Sequence, residues 1–181
     1  MKKSLNLLLV SILTVFTFTA CNLKTEYKAK TIDSIVSIDI PTYMAYQDME
    51  NPEASLQYGN LLKEHYLMLM IETKAEIASY ELGYDFTLES YADITLENFQ
   101  AAVDNPELKK LSKMPRMING MKSFPYEMRG EFEEINENIF YYITVLESDK
   151  AFYTIYSWCL EGGEKRFKNE MKIIAKSLKE I

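Results

Sequence analysis

Residues 139–160 read IFYYITVLESDKAFYTIYSWCL, and the reading of this stretch decides the fold. Two runs rich in aromatic and β-branched residues flank Ser148-Asp149, the pattern of two strands joined by a turn. With Ser148-Asp149 as a two-residue loop, Leu146 pairs with Ala151 and Val145 with Phe152. Side chains alternate across a strand. One face of the hairpin therefore carries Ile139, Tyr141, Ile143 and Val145 with Phe152, Tyr156, Trp158 and Leu160. The other carries Phe140, Tyr142 and Leu146 with Tyr153, Ile155 and Cys159. A hairpin apolar on both faces must be covered on both. The expectation is an α+β fold, a central antiparallel sheet flanked by helices or long loops.

Downstream, Gly162-Gly163 opens a helix predicted from about Glu164 to Lys179. Phe167, Met171, Ile174, Leu178 and Ile181 form its buried stripe. Lys165, Lys168, Lys172, Lys176 and Lys179 contribute to its solvent side, and the last of them suit the helix dipole. That lysine face could approach anionic lipid, although a solvated helix face explains it as well.

Upstream, Asn136-Glu137-Asn138 is a turn. Before it Phe124, Tyr126, Met128 and Phe132 alternate with Glu127, Arg129, Glu131 and Glu133. Asn119-Gly120 is the strongest hairpin signal in the chain. Leu88 to Val103 follows helical spacing, with Thr87 as N-cap and Asp104-Asn105-Pro106 as stop. Tyr66 to Ile71 is an unbroken apolar run, predicted as a strand buried on both faces, with Gly59-Asn60 turning the chain before it. Ile32, Val36, Ile38 and Ile40 alternate with Asp33, Ser37 and Asp39 in a first strand that Pro41 ends. No repeat, low-complexity tract or Pro/Gly-rich linker interrupts residues 31–181, so they are read as one domain.

Residues 1–20 are an address. Lys2 and Lys3 precede an apolar run from Leu5 to Phe18 that is shorter than the roughly 20 residues a membrane-spanning helix needs. Phe18-Thr19-Ala20-Cys21 resembles the lipobox of bacterial lipoproteins, with Phe18 where Leu is usual. The resemblance implies cleavage before Cys21 and a diacylglyceryl group on its sulfur, to which palmitate labelling would report. Residues 21–30 are polar and read as a short tether, reaching at most about 30 Å from Asn22 to Lys30. Asn22 is not the Asp associated with inner-membrane retention in some bacteria, which favours the outer membrane. The expected location is the bacterial cell envelope, with the lipid on Cys21 as the link to the membrane.

The chain has 181 residues, 48% of them hydrophobic, with 20 Lys and Arg against 27 Asp and Glu and a formal charge of −7. Loss of Lys2 and Lys3 with the signal makes the remainder more acidic still. This balance argues against nucleic-acid binding, which needs clustered basic residues. Two cysteines make no disulfide framework, and a single His excludes the common multi-histidine metal sites.

Candidate chemistry is sparse. His65 opens the apolar strand, and as a general base it would need a nucleophile and an orienting acid; adjacent Glu64 points to the opposite face. The expectation is a structural or surface residue. Cys159, between Trp158 and Leu160, is read as a core thiol, since no base or cation adjoins it. Glu131, Glu133, Glu134 and Glu137 could bind a hard cation but read more simply as a solvated strand face. Leu67-Met68-Leu69-Met70 is read as core, and Tyr43, Tyr46 and Tyr58 as candidate interface anchors. No phosphate-binding loop, nucleophile elbow or zinc-protease signature is present, and no cofactor is expected.

The phrases Ser37-Ile38-Asp39-Ile40-Pro41 and Ile118-Asn119-Gly120, the strands around Leu56 and Tyr66–Ile71, the aromatic last hairpin and the ending Ala175-Lys176-Ser177-Leu178-Lys179 carry a resemblance. Together they look like the PsbP/Mog1/DcrB-like group, over essentially Thr31 to Ile181. The resemblance implies a Mog1/PsbP-like α/β sandwich and an accessory or protein-binding role. Members include a photosystem II subunit, a Ran-GTPase partner and bacterial envelope proteins, with no shared catalytic set. The expected function is a non-enzymatic, membrane-anchored accessory lipoprotein with a protein partner in the envelope. The alternatives are a carrier of a small apolar ligand and a hydrolase assembled from scattered acids, His65 and tyrosines.

Overall fold

The aromatic hairpin sits at the centre of an antiparallel sheet in the computed structural model, which describes residues 24–79, 86–132 and 137–181. The strands are β1 (Tyr27–Ile32), β2 (Val36–Pro41), β3 (Ala45–Tyr46), β4 (Leu56–Asn60), β5 (His65–Thr73), β6 (Asp104–Lys110), β7 (Arg116–Ile118), β8 (Met121–Phe132), β9 (Glu137–Glu147), β10 (Ala151–Leu160) and β11 (Lys179–Glu180). The helices are α1 (Lys74–Ser79), α2 (Leu88–Ala101) and α3 (Glu164–Ser177). The large sheet runs β3-β4-β5-β10-β9-β8-β6, with β7 beside β8, and a small second sheet runs β1-β2-β11. All described pairings are antiparallel.

Each face of the central hairpin has its own core. On one side α3 and the small sheet cover Phe140, Tyr142, Tyr153 and Ile155 with Phe167, Met171 and Ile174. On the other, α2 lays Tyr91, Ala92 and Leu96 over Phe124, Tyr141, Ile143 and Phe152. The two faces are those read from the alternation. The register is not: Tyr153 pairs with Leu146 and Phe152 with Glu147, two residues from the expected pairing. Ser148 causes the difference. Its Oγ accepts from the amides of Lys150 and Ala151, both at 3.1 Å, and its own amide donates to the Ala151 carbonyl. This moves the two-residue turn one position along, to Asp149-Lys150, and the resulting register shift of two preserves side-chain parity.

The Asn119-Gly120 hairpin forms as expected, with both residues at positive φ (47° and 88°) and Ile118 paired to Met121. Thr87 caps α2, accepting from the Ser90 amide while Ser90 reaches back.

Further expectations change. Tyr27–Lys30, assigned to the tether, form most of β1, because an outer strand is held by backbone bonds to β2 and can leave Lys28 and Lys30 in water. Asp104-Asn105-Pro106 ends α2 but also begins β6, an edge strand whose register shifts between Asp104 and Glu107, where Pro106 is tolerated. Gly59-Asn60 lies within β4, and the chain turns at residues 61–64. At the C-terminus α3 stops at Ser177, Lys179–Glu180 pairs with β2, and Ile181 is exposed rather than part of the stripe.

Glu131 and Glu137 are exposed, as a solvated face requires, but the polar side of β8 is not in water along its whole length. Glu127 is buried, bonded at 2.9 Å to Lys168, which also reaches Glu164 at 3.0 Å. Arg129 meets Glu164 at 2.5 Å and Glu161 at 3.4 Å. These charges hold the first half of α3 against the sheet.

Candidate functional site

The strand Tyr66–Ile71 is buried on one face only. His65, Leu67 and Leu69 point into the core, while Tyr66, Met68 and Met70 are half-buried on the other side. The reason is the reach of α2, which covers β8 and β9 but leaves β5 and the far half of β10 open. The result is a cleft of about 570 Å³, within the ordinary range for ligand sites. Met68 and Met70, read from sequence as core, are part of its wall.

Its floor is a row of rings across three strands. Tyr66 of β5 stands opposite Trp158 of β10, and Trp158 opposite Tyr141 of β9. Tyr66 and Trp158 stack at 5.4 Å, and Tyr141 lies 6.3 Å from Trp158. Phe99 of α2 closes one side, edge-on to Tyr141 at 5.2 Å and tilted against Tyr156 at 4.8 Å. Burial pushes the Tyr141 hydroxyl up to about 12 and raises that of Tyr156, so both are neutral donors. Gly59, opposite Tyr66, makes the floor possible: a Cβ there would stand 2.6 Å from the Tyr66 ring.

The opposite wall is the loop through Met49 and Asn51. Buried Gln57 fixes it, accepting from the Met49 amide at 2.8 Å and donating to the Asn51 carbonyl at 2.9 Å. The Asn51 amide meets the Met68 sulfur at 3.5 Å. Asn51 and Glu64 are polar groups at a mostly apolar site.

His65 lies on the other face, fully buried and stacked on Phe167 at 4.4 Å. Its Nδ1 is 2.7 Å from the Tyr43 hydroxyl, which donates to Glu170 at 2.5 Å; Thr25 donates to the other oxygen of Glu170 at 2.6 Å. The hydroxyl's single proton goes to Glu170, so Nδ1 carries the ring proton and donates to Tyr43. Nε2 is 3.4 Å from Ser157 Oγ, whose own proton goes to the Tyr66 carbonyl at 3.1 Å. Burial, reinforced by Lys63 and Arg166, lowers the His65 pKa to about 3. A neutral imidazole separated from its acid by a tyrosine, beside a serine spent on a backbone carbonyl, ties β5 to α3. It borders none of the three cavities described here.

The remaining candidates are placed as follows. Cys159 is 1% exposed and burial pushes its thiol up to about 12, which makes it a core thiol. Tyr43 belongs to the His65 network, Tyr46 is exposed and Tyr58 is half-buried; the last two border a polar groove of about 680 Å³ beside β1. Glu133 and Glu134 lie outside the described residues, as does Cys21. Among the described residues, no three His, Cys, Asp or Glu groups converge as metal ligands, and no helix is long and apolar enough to cross a membrane. Sequence reasoning missed the cleft, because its residues come from four elements and two loops and only the short reach of α2 leaves them open.

The architecture defines the class of fold: an α+β domain whose large antiparallel sheet is packed between helices, with a small second sheet beside one of them. The structure resembles cyanobacterial PsbP (CyanoP) from Synechocystis sp. PCC 6803 with TM-score 0.55 and 12% identity, over 90% of this chain and 96% of that one. It also resembles LpqN of Mycobacterium tuberculosis, a protein involved in cell envelope biogenesis, with TM-score 0.53 and 6% identity, over 88% and 87% of the two chains. No protein-family model and no curated sequence matches the chain. At these identities the likeness is one of fold.

Proposed function

We propose that the protein is a non-enzymatic accessory lipoprotein of the bacterial cell envelope, anchored through lipid on Cys21, whose cleft receives apolar side chains of a partner protein. The cleft carries this reading. Its Trp and Tyr rings are the residue types that dominate binding energy at interfaces, and Met49, Met68 and Met70 supply adaptable apolar surface. The signal-like residues 1–20 and the lipobox-like Phe18–Cys21 support the anchor, and Asn22 favours the outer membrane. An accessory role also fits a fold shared with PsbP and with an envelope-biogenesis protein. The buried, neutral His65 and its occupied partners weigh against a hydrolytic site.

The concavity of the cleft favours a second reading, a carrier of a small apolar ligand, since protein interfaces are commonly flatter. Photo-crosslinking from position 68 in cells separates the two by the mass of the adduct. A protein adduct supports the partner reading, a small-molecule adduct the carrier. Turnover of ester or amide substrates that is lost in His65→Gln would contradict both.

A further inference from the structure

We infer that a second pocket, between β7, β9 and α3, is a binding site for a phosphate group carried on a small molecule or a lipid headgroup. The pocket encloses about 270 Å³ and lies on the face of the sheet opposite the apolar cleft. Arg116, Lys172 and Lys176 line it, and among the described residues no carboxylate does. In a chain with 27 acidic residues against 20 basic ones, a cavity bordered by three cations and no acid is not what composition alone would give. Nor are these cations compensated elsewhere. None of the three is in an ion pair among the described residues, whereas Lys168, one turn earlier on α3, is held by Glu127 and Glu164.

A second, independent observation is Thr144. It lies in the pocket wall, is 1% exposed, and its hydroxyl has no hydrogen-bond partner among the described residues. A buried hydroxyl without a partner is costly, and an occupant bearing acceptor oxygens would satisfy it. Asn119 completes the arrangement: its amide donates to the carbonyls of Lys176 at 3.0 Å and Leu178 at 2.8 Å. Two carbonyls at the end of α3, which would repel an anion, are thereby occupied. The Arg116 guanidinium makes one long bond, 3.3 Å to the Leu111 carbonyl, and its other donors are free to fork onto phosphate oxygens. Three cations suit a doubly charged phosphate better than a single carboxylate.

The test is calorimetric titration of the full chain with glycerol 3-phosphate and with inorganic phosphate at fixed ionic strength. A parallel arm uses sedimentation with phosphatidylglycerol or phosphatidylcholine vesicles, on the Cys21→Ser form so that the lipid anchor contributes nothing. Saturable binding of either soluble phosphate, weakened about tenfold or more by Lys172→Glu and measurably by Thr144→Val, supports the site. Thr144→Val removes the orphan hydroxyl with little change in shape, so it reads binding without threatening the fold. Binding to phosphatidylglycerol vesicles alone, lost in both variants, assigns the phosphate to a lipid headgroup. Absence of binding to every phosphate probe, or binding unchanged in both variants, overturns the inference.

Discussion

The hydroxyl of Tyr43 accepts from Nδ1 of His65 at 2.7 Å and donates a hydrogen bond to Glu170, so one tyrosine joins the first residue of β5 to the middle of α3. Tyr43→Phe removes both bonds and leaves Glu170 with Thr25 and the imidazole N–H with nothing. Denaturant unfolding should show a loss of about 1–3 kcal/mol, the cost of stranding buried polar groups. A loss below a few tenths would mean the network contributes little.

The pH dependence of stability follows from the same imidazole. Its folded pKa, about 3, lies below the value near 6.5 of an unfolded histidine. The unfolded state therefore binds the proton first. The contribution is complete above pH 6.5 or so and is lost as pH falls toward 3. The lowered carboxylate pKa values of Glu164 and Glu180 add an acid-side loss only near and below the usual carboxylate range. Unfolding free energies measured between about pH 5 and 6.5 should then rise with pH, by up to about 1.4 kcal/mol per unit. In His65→Gln that slope should flatten. A slope unchanged in the variant would show that His65 is not the group responsible.

Cys159, buried behind Trp158 with its thiol pushed up to about 12, should be inert in the folded protein. In the Cys21→Ser form, a thiol reagent at pH 8 should react only as fast as the protein opens, and at full speed in denaturant. Immediate stoichiometric labelling of the native protein would place the thiol at the surface.

Cys21→Ser should abolish palmitate incorporation and move the protein from the membrane to the soluble fraction. Labelling that persists in the variant would remove the basis for the anchor.

The fold was largely legible because its signals are local. Asn119-Gly120, Thr87 and the alternation from Ile139 to Leu160 each state a turn, a cap or a face within a few residues. The edge elements were not. β1 and β6 carry exposed polar side chains and exist through backbone pairing with β2 and β8, which leaves little mark on hydrophobic pattern. The six-residue Lys74–Ser79 helix gives too short a period to read. The site was the least legible part. The apolar run Tyr66–Ile71 looks the same whether both faces are covered or one is open, and which holds depends on how far α2 extends across the sheet. Likewise Lys168 and Lys172 are alike in sequence, yet one is neutralised by Glu127 from β8 and the other borders a cavity without acids.

In the proposed function, the cleft over β5 and β10 is the surface through which this domain works. A photo-crosslinking residue is placed at Met68, within the cleft, or at Leu62, 98% exposed on the preceding turn, in the full chain expressed in cells. A discrete protein adduct is expected from position 68, lost when Trp158→Ala removes the centre of the ring floor, and none from position 62. Equal adducts from both positions, or none from position 68, would contradict it.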